Sequence, residues 1–415
     1  MSASLFCVRC SQIWFTRCVD KPLASSPYHL ITSSLPVKSK LPHIGTTIFT
    51  VMTNRAREVG AINLAQGFPD FDAPGKLKDL VGYHVAAGRN QYAPMIGVPE
   101  LREQIASMLE GNYGWLPDAE SEITITLGAT EGIFSAILGL VHPGDEVILF
   151  DPSYDSYAPA VILAGGIPVR VPLQPPRFRI DWQQVKDRFS AKTSLVVINT
   201  PHNPVATVLN AADLEALADI LHSSEALVLS DEVYEHIVFD GARHSGILTH
   251  PELRARGIAV FSFGKTMHAT GWRVGYTVAP AEITREIRRV HQFNTFSIAA
   301  PLQYAIADFL KQVPEHNATL SDFYQRKRDL FLSRLSDSRF TWLASAGSYF
   351  QLLDFTAISD ESDVDFADRV LMQAGVASIP ISVFYENPPK LGLLRFCFAK
   401  NDSTLEEAAA RLCTL

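Results

Sequence analysis

A lysine just beyond an apolar run is the residue of this chain with the clearest chemical potential. The run Ile258-Ala-Val-Phe-Ser-Phe leads into Gly264-Lys265-Thr266, with Ser262 three residues before the lysine and Arg273 eight residues after it. A lysine amine among apolar neighbours loses its proton more easily than one in water, and the neutral amine can form a Schiff base with an aldehyde. Serine and arginine suit an anionic tail, and pyridoxal phosphate carries both an aldehyde and a phosphate. A loop lysine beside a core-packing Trp272 is the alternative.

Seven short apolar runs predict the strands that position this lysine. Most are β-branched and continuous, as in strands buried on both faces, and helical patterns such as 131–140 and 211–223 lie between them. The runs are residues 123–126, 146–150, 167–171, 194–198, 226–230, 258–262 and 274–278. They predict an α/β fold whose large domain holds a mostly parallel seven-stranded sheet.

A chain of 415 residues exceeds the usual size of one domain. We predict a large domain over residues 61–299 and a smaller α+β domain from 39–60 and 300–415, with one long helical region from 282 to about 338. Residues 1–38 form an N-terminal extension that we expect to be disordered. Its basic residues, serines and single acid, Asp20, also resemble a weak transit peptide. We expect a cytoplasmic protein, and the resemblance to a transit peptide leaves organelle targeting open.

The composition narrows the class of function. Hydrophobic residues make up 47%, charged residues 19%, and the formal net charge is −8, which argues against nucleic acid as a partner. The longest apolar runs reach about ten residues, too few to span a bilayer. Cys7 and Cys10 have CxxC spacing, but no second pair follows, so we expect no metal site.

Polar residues follow several predicted strands, where open α/β sheets bind their ligands. Gly128-Ala129-Thr130 follows the first strand and opens a helix, whose N-terminus suits phosphate. The same turn is also a common helix cap. Tyr154 follows the second strand and could stack on a flat ring or simply pack.

Asn203 and Asp231 follow the fourth and fifth strands. Pro204 keeps Asn203 extended or in a turn, where its amide could donate to a ring oxygen or merely shape the turn. Asp231 could pair with a pyridine nitrogen and make the ring an electron sink, or it could cap a helix. Tyr234 could reach the phenolic side of the same ring. Together these residues supply every contact that pyridoxal phosphate needs.

In these motifs the chain resembles the fold-type I, class I and II pyridoxal-phosphate-dependent aminotransferases. The motifs are SFGK, GWRVGY, NTPHNP and SDEVYEH, and the resemblance runs from about residue 41 to the C-terminus. Residues 63–71 and 90–94 narrow it to the branch that holds the kynurenine and glutamine aminotransferases and the bacterial methionine aminotransferase. Residues 151–159, 173–176 and 381–384 look most like the methionine enzyme.

The resemblance implies a role for each motif residue. Lys265 would hold the cofactor covalently and shuttle a proton, Asp231 would pair with the pyridine nitrogen, and Tyr154 would stack on the ring. Asn203 and Tyr234 would bond the phenolic oxygen. The phosphate would be held by Ala129, Thr130, Ser262 and Arg273.

The resemblance also implies a homodimer with shared active sites, in which Tyr92 reaches the phosphate of the neighbouring subunit's cofactor. Arg395 would form a fork on the substrate α-carboxylate, helped by Gly67 and Asn203. One departure stands out. Many relatives have a small residue and then glycine after Asn-Pro, whereas this chain has Val205-Ala206.

These residues predict an aminotransferase that moves the amino group of methionine, or of another apolar or aromatic amino acid, to a 2-oxo acid; kynurenine and glutamine are further donors that the resemblance suggests. The resemblance places Phe49, Phe296 and Tyr385 near the side-chain pocket. No arginine is obviously placed for a second carboxylate, which disfavours aspartate as the amino donor.

The alternative function is that of a cysteine-S-conjugate β-lyase on the same scaffold. A non-catalytic cofactor sensor fits poorly, because Lys265, Asp231 and Arg395 are all present.

Overall fold

The computed structural model describes residues 38–415, and every structural statement below concerns that part of the chain. The predictions for the N-terminal extension, and for the Cys7 and Cys10 pair, lie outside the described residues. Within residues 38–415, no group of three or more His, Cys, Asp or Glu side chains is placed to hold a metal ion. In the same range no helix is both long and apolar enough to cross a membrane.

The strands fall into three sheets. In chain order they are β1 Ile62–Asn63, β2 Ile123–Thr126, β3 Glu146–Asp151, β4 Ile167–Pro172, β5 Thr193–Asn199, β6 Leu227–Asp231, β7 Gly257–Ser262, β8 Gly275–Val278, β9 Phe350–Asp354, β10 Val376–Ala377, β11 Ile379–Pro380 and β12 Leu393–Cys397.

Fourteen α-helices accompany these strands within residues 38–415. They are α1 Ile48–Val59, α2 Gly75–Ala86, α3 Pro99–Tyr113, α4 Gly128–Leu140, α5 Tyr157–Ala164, α6 Trp182–Arg188, α7 Ala211–Leu221, α8 Pro251–Arg254, α9 Phe263–Thr266, α10 Ala281–Asn294, α11 Ala300–Gln312, α12 His316–Arg334, α13 Asp363–Arg369 and α14 Asp402–Leu412.

The predicted seven-stranded sheet is confirmed. Its order is β2-β8-β7-β6-β5-β3-β4, and only β8 runs antiparallel to its neighbours. All seven predicted strands are present, each to within one residue at either end. Side chains of β3 show why the runs are continuous: Val147 and Leu149 pack into one hydrophobic cluster, whereas Ile148 and Phe150 pack into another on the opposite face.

A second, antiparallel sheet has the order β11-β12-β9 and lies in the C-terminal part of the chain. Its core includes Phe350, Phe366, Phe396 and Leu405, which bring β9, α13, β12 and α14 together. These elements give the predicted α+β texture. Near the other end of the chain, α1 packs on Leu371, Ala377 and Ile379 through Met52 and Ala56.

The predicted helical region 282–338 consists of three helices, α10 to α12. Proline at the start of α11 fixes the break before it, because proline suits a first helical turn and not a helix interior. Helix α11 shares a hydrophobic cluster with Leu101 and Ile105 of α3 through Ala305 and Phe309. This packing favours a domain boundary after α11. The division into 39–60 with 300–415 and 61–299 stays a prediction.

Candidate active site

Adjacent parallel strands deliver polar residues to one edge of the large sheet. Asn199 ends β5, Asp231 ends β6 and Ser262 ends β7, and Asn199 lies directly opposite Asp231 in the register. Lys265 follows in the short helix α9. The second sheet faces this edge, because Arg395 of β12 contacts Asn203 from across the site.

Lys265 is held by groups far away in sequence. Its Nζ donates to Tyr349 Oη at 2.9 Å and to the Gly67 carbonyl at 3.4 Å. The rings of Tyr234 and Tyr349 have their centroids 5.5 and 5.4 Å from Nζ. Burial lowers the pKa of the Lys265 ammonium to about 8. A substantial fraction of the amine is therefore neutral, and nucleophilic, in mildly alkaline solution.

Asp231 is a buried carboxylate that forms no ion pair with any of the described residues. Tyr157 Oη donates to its Oδ2 at 2.6 Å, and the Val233 amide donates to its Oδ1 at 3.4 Å. Burial raises the pKa of this carboxyl to about 6. The residues after Asp231 form turns instead of a helix, so it does not cap a helix. A cationic ring nitrogen beside it would supply the missing opposite charge.

Arg395 is a cation of the site whose side chain is fully buried. Its Nη1 donates to Asn203 Oδ1 at 2.6 Å and its Nη2 to the Ala65 carbonyl at 2.8 Å, while Nε has no partner in residues 38–415. Burial lowers its pKa to about 10, which leaves it charged at neutral pH. A buried guanidinium without an ion pair suits a carboxylate ligand.

Asn203 and Gly67 complete the wall beside Arg395. The Asn203 amide N–H donates to Asn199 Oδ1 at 2.7 Å. Since Asn203 Oδ1 accepts from Arg395, its side-chain nitrogen is the atom that can donate to a ligand. Gly67 has no room for a side chain, because a Cβ there would lie 2.6 Å from Cζ of Phe350.

The first turn of α4 and Arg273 form a separate positive corner. Helix α4 begins at Gly128 with a φ of 72°, and its N-cap, Leu127, makes no side-chain hydrogen bond. Ala129 and Thr130 follow in the first turn. Arg273 lies against this turn, since a Cβ on Gly128 would be 2.7 Å from Arg273 Nη2. Helix N–H groups, a positive dipole end and a guanidinium together suit a phosphate.

Two tyrosines line the space between Lys265 and this corner. Tyr154 lies edge-on to Tyr157 with 5.7 Å between ring centroids, and burial raises its pKa. Tyr234 lies edge-on to Tyr349 with 4.9 Å between centroids. Burial also raises the pKa of Tyr234, so its hydroxyl keeps its proton and can act as a donor.

Tyr92 does not join the other predicted site residues in its own chain. It is 85% exposed, and its ring lies edge-on to Phe296, 5.4 Å between centroids. Phe296, predicted near the side-chain pocket, is therefore on this exposed surface, as is Phe293, which is 86% exposed. Phe49 does approach the site, with its ring centroid 5.1 Å from Arg395 Cζ.

Two functional candidates escaped the sequence analysis: Tyr349, which contacts Lys265, and Tyr157, which contacts Asp231. Each is a buried tyrosine. A buried tyrosine hydroxyl needs a polar partner, so a tyrosine expected in the interior indicates a polar contact there. The identity of that partner was not readable, because 84 residues separate Tyr349 from Lys265.

Comparison with known proteins identifies relatives over nearly the whole described chain. Residues 59–412 match the family model described as aminotransferase class I and II. A methionine aminotransferase from Escherichia coli is 55% identical, over 90% of this chain and 97% of its own. A solved structure from E. coli, reported with a methionine aminotransferase function, is 54% identical, has a TM-score of 0.90 and aligns over 92% of this chain and all of its own. A kynurenine–oxoglutarate transaminase from Dictyostelium discoideum is 32% identical over 95% and 99% of the two chains.

Proposed function

The chain belongs to the class I and II aminotransferases, and we propose on this premise that it uses pyridoxal 5′-phosphate to move the amino group of methionine, or of another apolar or aromatic amino acid, to a 2-oxo acid. The observation that carries the proposal is the convergence of Lys265, Asp231 and Arg395, an amine, a carboxylate and a guanidinium that lie between the strand ends of the large sheet and the second sheet.

The residues present fit the proposed cofactor. Asp231 lacks a cationic partner, and the first turn of α4 with Arg273 offers N–H groups to an anion. We assign the phosphate to Ala129, Thr130, Ser262 and Arg273, the ring nitrogen to Asp231, the ring face to Tyr154, and the phenolic oxygen to Asn203 and Tyr234. Pyridoxal phosphate, when bound, supplies an electron sink that makes the Cα–H bond of an amino acid acidic.

Arg395 and Lys265 divide the remaining work. Arg395 binds the substrate α-carboxylate, and the hydrogen bonds to Asn203 and Ala65 fix the plane of its guanidinium. In the first half of the reaction, Lys265, whose amine has a lowered pKa, accepts the proton from the Cα of the amino donor. In the second half, it donates a proton to the Cα of the amino acid formed from the 2-oxo acid. Tyr349 and Gly67 hold its Nζ in place while it does so.

The side-chain preference rests on aromatic groups beside Arg395. Ring centroids of Phe49, Phe350 and Phe384 lie 5.1, 3.9 and 5.7 Å from Arg395 Cζ. A substrate bound through its α-carboxylate would place its side chain among these rings, which favours apolar and aromatic donors. Methionine is the donor named for the E. coli relative, and kynurenine for the more distant one. The relatives named above are aminotransferases, which does not favour the β-lyase alternative.

A panel of amino donors tests this proposal. Purified holoenzyme is assayed with methionine, phenylalanine, leucine, kynurenine, glutamine and aspartate against one 2-oxo acid acceptor. We expect kcat/KM for methionine to exceed that for aspartate by about tenfold or more, because a buried second carboxylate without a partner costs at least that much. Aspartate as the best donor would contradict the proposed specificity.

We further propose that the protein is a cytoplasmic homodimer.

A further inference from the structure

A half-open cavity of about 430 Å³ lies beside the site, and none of the residues assembled above lines it. This volume is in the range that small-molecule ligands occupy. One wall comes from residues 175–180, 205–209 and 213, and the other from residues 341–346, 352, 354, 391 and 393. The cavity therefore lies between the strand-end loops of the large sheet and the second sheet.

Most of its surface is apolar. The side chains of Phe178, Trp342, Leu352, Leu391 and Leu393 are among those that form it. Such a lining can bury the body of an organic ligand of modest size, at about 25 cal/mol per Å² of apolar surface removed from water.

Most of the polar side chains in the cavity that still lack partners can donate a hydrogen bond. Arg177 and Arg179 form no ion pair and no side-chain hydrogen bond with the described residues, and both line the cavity. Ser345 is only 5% exposed, and its Oγ has no partner in the described part of the chain. A buried hydroxyl without a partner is costly, so a ligand acceptor at this position would be stabilising.

Two carboxylates also line the cavity, and three of their four oxygens already accept hydrogen bonds, Asp354 Oδ2 being the exception among the described residues. Asp213 Oδ1 accepts from Trp182 Nε1 at 3.0 Å, and its Oδ2 accepts from the Asn210 amide at 3.0 Å. Asp354 Oδ1 accepts from the amide and hydroxyl of Thr356, at 2.8 and 2.6 Å. The free hydrogen-bonding capacity of the cavity is thus mainly that of its two guanidinium groups and its serine, against a single carboxylate oxygen.

We propose that this cavity binds a carboxylate ligand with an apolar body. Binding of this ligand increases the affinity of Arg395 for the substrate α-carboxylate. Two guanidinium groups and a hydroxyl receive the carboxylate, and the leucines with Trp342 bury the body. The regulatory part of this inference rests on the proposed aminotransferase activity, whereas the binding part does not.

The walls of the cavity continue directly into the active site. Leu393 lies two residues before Arg395, on the same face of β12, and Leu352 is paired with Arg395 in the register. On the other wall, Val205 follows Asn203 by two residues. The hydrogen bond from Arg395 to Asn203 therefore joins the same two elements that the ligand would bridge. A ligand that spans both walls favours the arrangement in which this bond is formed.

Calorimetric titration of the holoenzyme with indole-3-acetate tests the binding. The neutral amide, indole-3-acetamide, has nearly the same shape and should bind about tenfold more weakly, since it lacks the charge. Arg177→Gln with Arg179→Gln should weaken binding of the acid by about tenfold or more. The matched control is Arg243→Gln with Arg285→Gln, which removes two exposed arginines elsewhere and should leave binding unchanged. Equal binding to the two double variants would overturn the proposal.

Steady-state kinetics then test the coupling. Indole-3-acetate should lower KM for methionine about fivefold in the unaltered enzyme and have no such effect in the Arg177, Arg179 double variant. A rise in KM would mean that the acid competes at Arg395, and the proposal would be wrong. Absence of methionine turnover without the acid would count against the proposed function alone, because the calorimetric result does not depend on it.

Discussion

At the scale of single residues, the account depends on an amine that burial has made reactive. Because the pKa of Lys265 is about 8, the rate at which the cofactor-free protein captures pyridoxal phosphate covalently should rise through a midpoint near pH 8. An ordinary lysine in water has a pKa of about 10.4. Absorbance of the bound cofactor measures the rate. Lys265→Ala serves as the control and should show no covalent capture at any pH. A midpoint near that of free lysine would mean that burial does not act on this amine.

Tyr349 should be a positioning residue for Lys265. Tyr349→Phe removes the hydroxyl that lies 2.9 Å from Nζ, so kcat should fall about tenfold while KM for methionine stays nearly constant. Tyr324→Phe is the matched control, because Tyr324 is also buried and its hydroxyl has no partner within residues 38–415. It should leave kcat unchanged. Equal effects of the two variants, or a change in KM alone, would remove Tyr349 from this role.

At the scale of elements, the loop after Asn203 holds a strained residue. Ala206 has a φ of 59°, in the left-handed region that glycine adopts freely. Its carbonyl accepts from the Ala346 amide at 3.0 Å, which ties the loop in that conformation. A residue with a Cβ costs about 1–2 kcal/mol of folding stability in this conformation, and glycine avoids that cost. Glycine also gives the unfolded chain more conformational freedom, which takes back about 0.4–1 kcal/mol.

Ala206→Gly should therefore stabilise the protein by roughly 0.5–1 kcal/mol, as measured by a higher denaturation midpoint. Ala216→Gly, the same change in the middle of α7, should destabilise it by about 1 kcal/mol. Destabilisation by both changes to the same extent would show that the backbone at Ala206 is not strained.

Strands were the most predictable elements, because a parallel strand buried on both faces needs a continuous apolar run and residues 258–262 supply one. The polar residues at strand ends were predictable too, because Asp231 and Ser262 are the last residues of their strands and locating the strands locates them. Contacts between distant segments were not. Arg395 and Asn203 are 192 positions apart, and only the packing of the two sheets brings them together. The break before α11 was visible in principle at Pro301.

At the scale of the whole molecule, the proposed dimer predicts complementation between subunits. Tyr92 is highly exposed and its ring packs on Phe296, as expected for a residue that serves a neighbouring site. Mixed subunits of Tyr92→Ala and Lys265→Ala should regain up to half of the sites, because one site per heterodimer then has both residues intact. The control pair, Asp231→Ala with Lys265→Ala, should regain nothing, since each site keeps one defect. No recovery in the first pair after verified subunit exchange would mean that Tyr92 acts within its own chain.

The central claim is that this enzyme transfers the amino group and does not release it. The most direct measurement supplies the holoenzyme with ¹⁵N-labelled methionine and an unlabelled 2-oxo acid, and follows the label by mass spectrometry. The account predicts that the label appears in the amino acid formed from the acceptor, in equal amount to the 2-oxo acid formed from methionine. Label recovered as free ammonia, with no labelled amino acid from the acceptor, would contradict it.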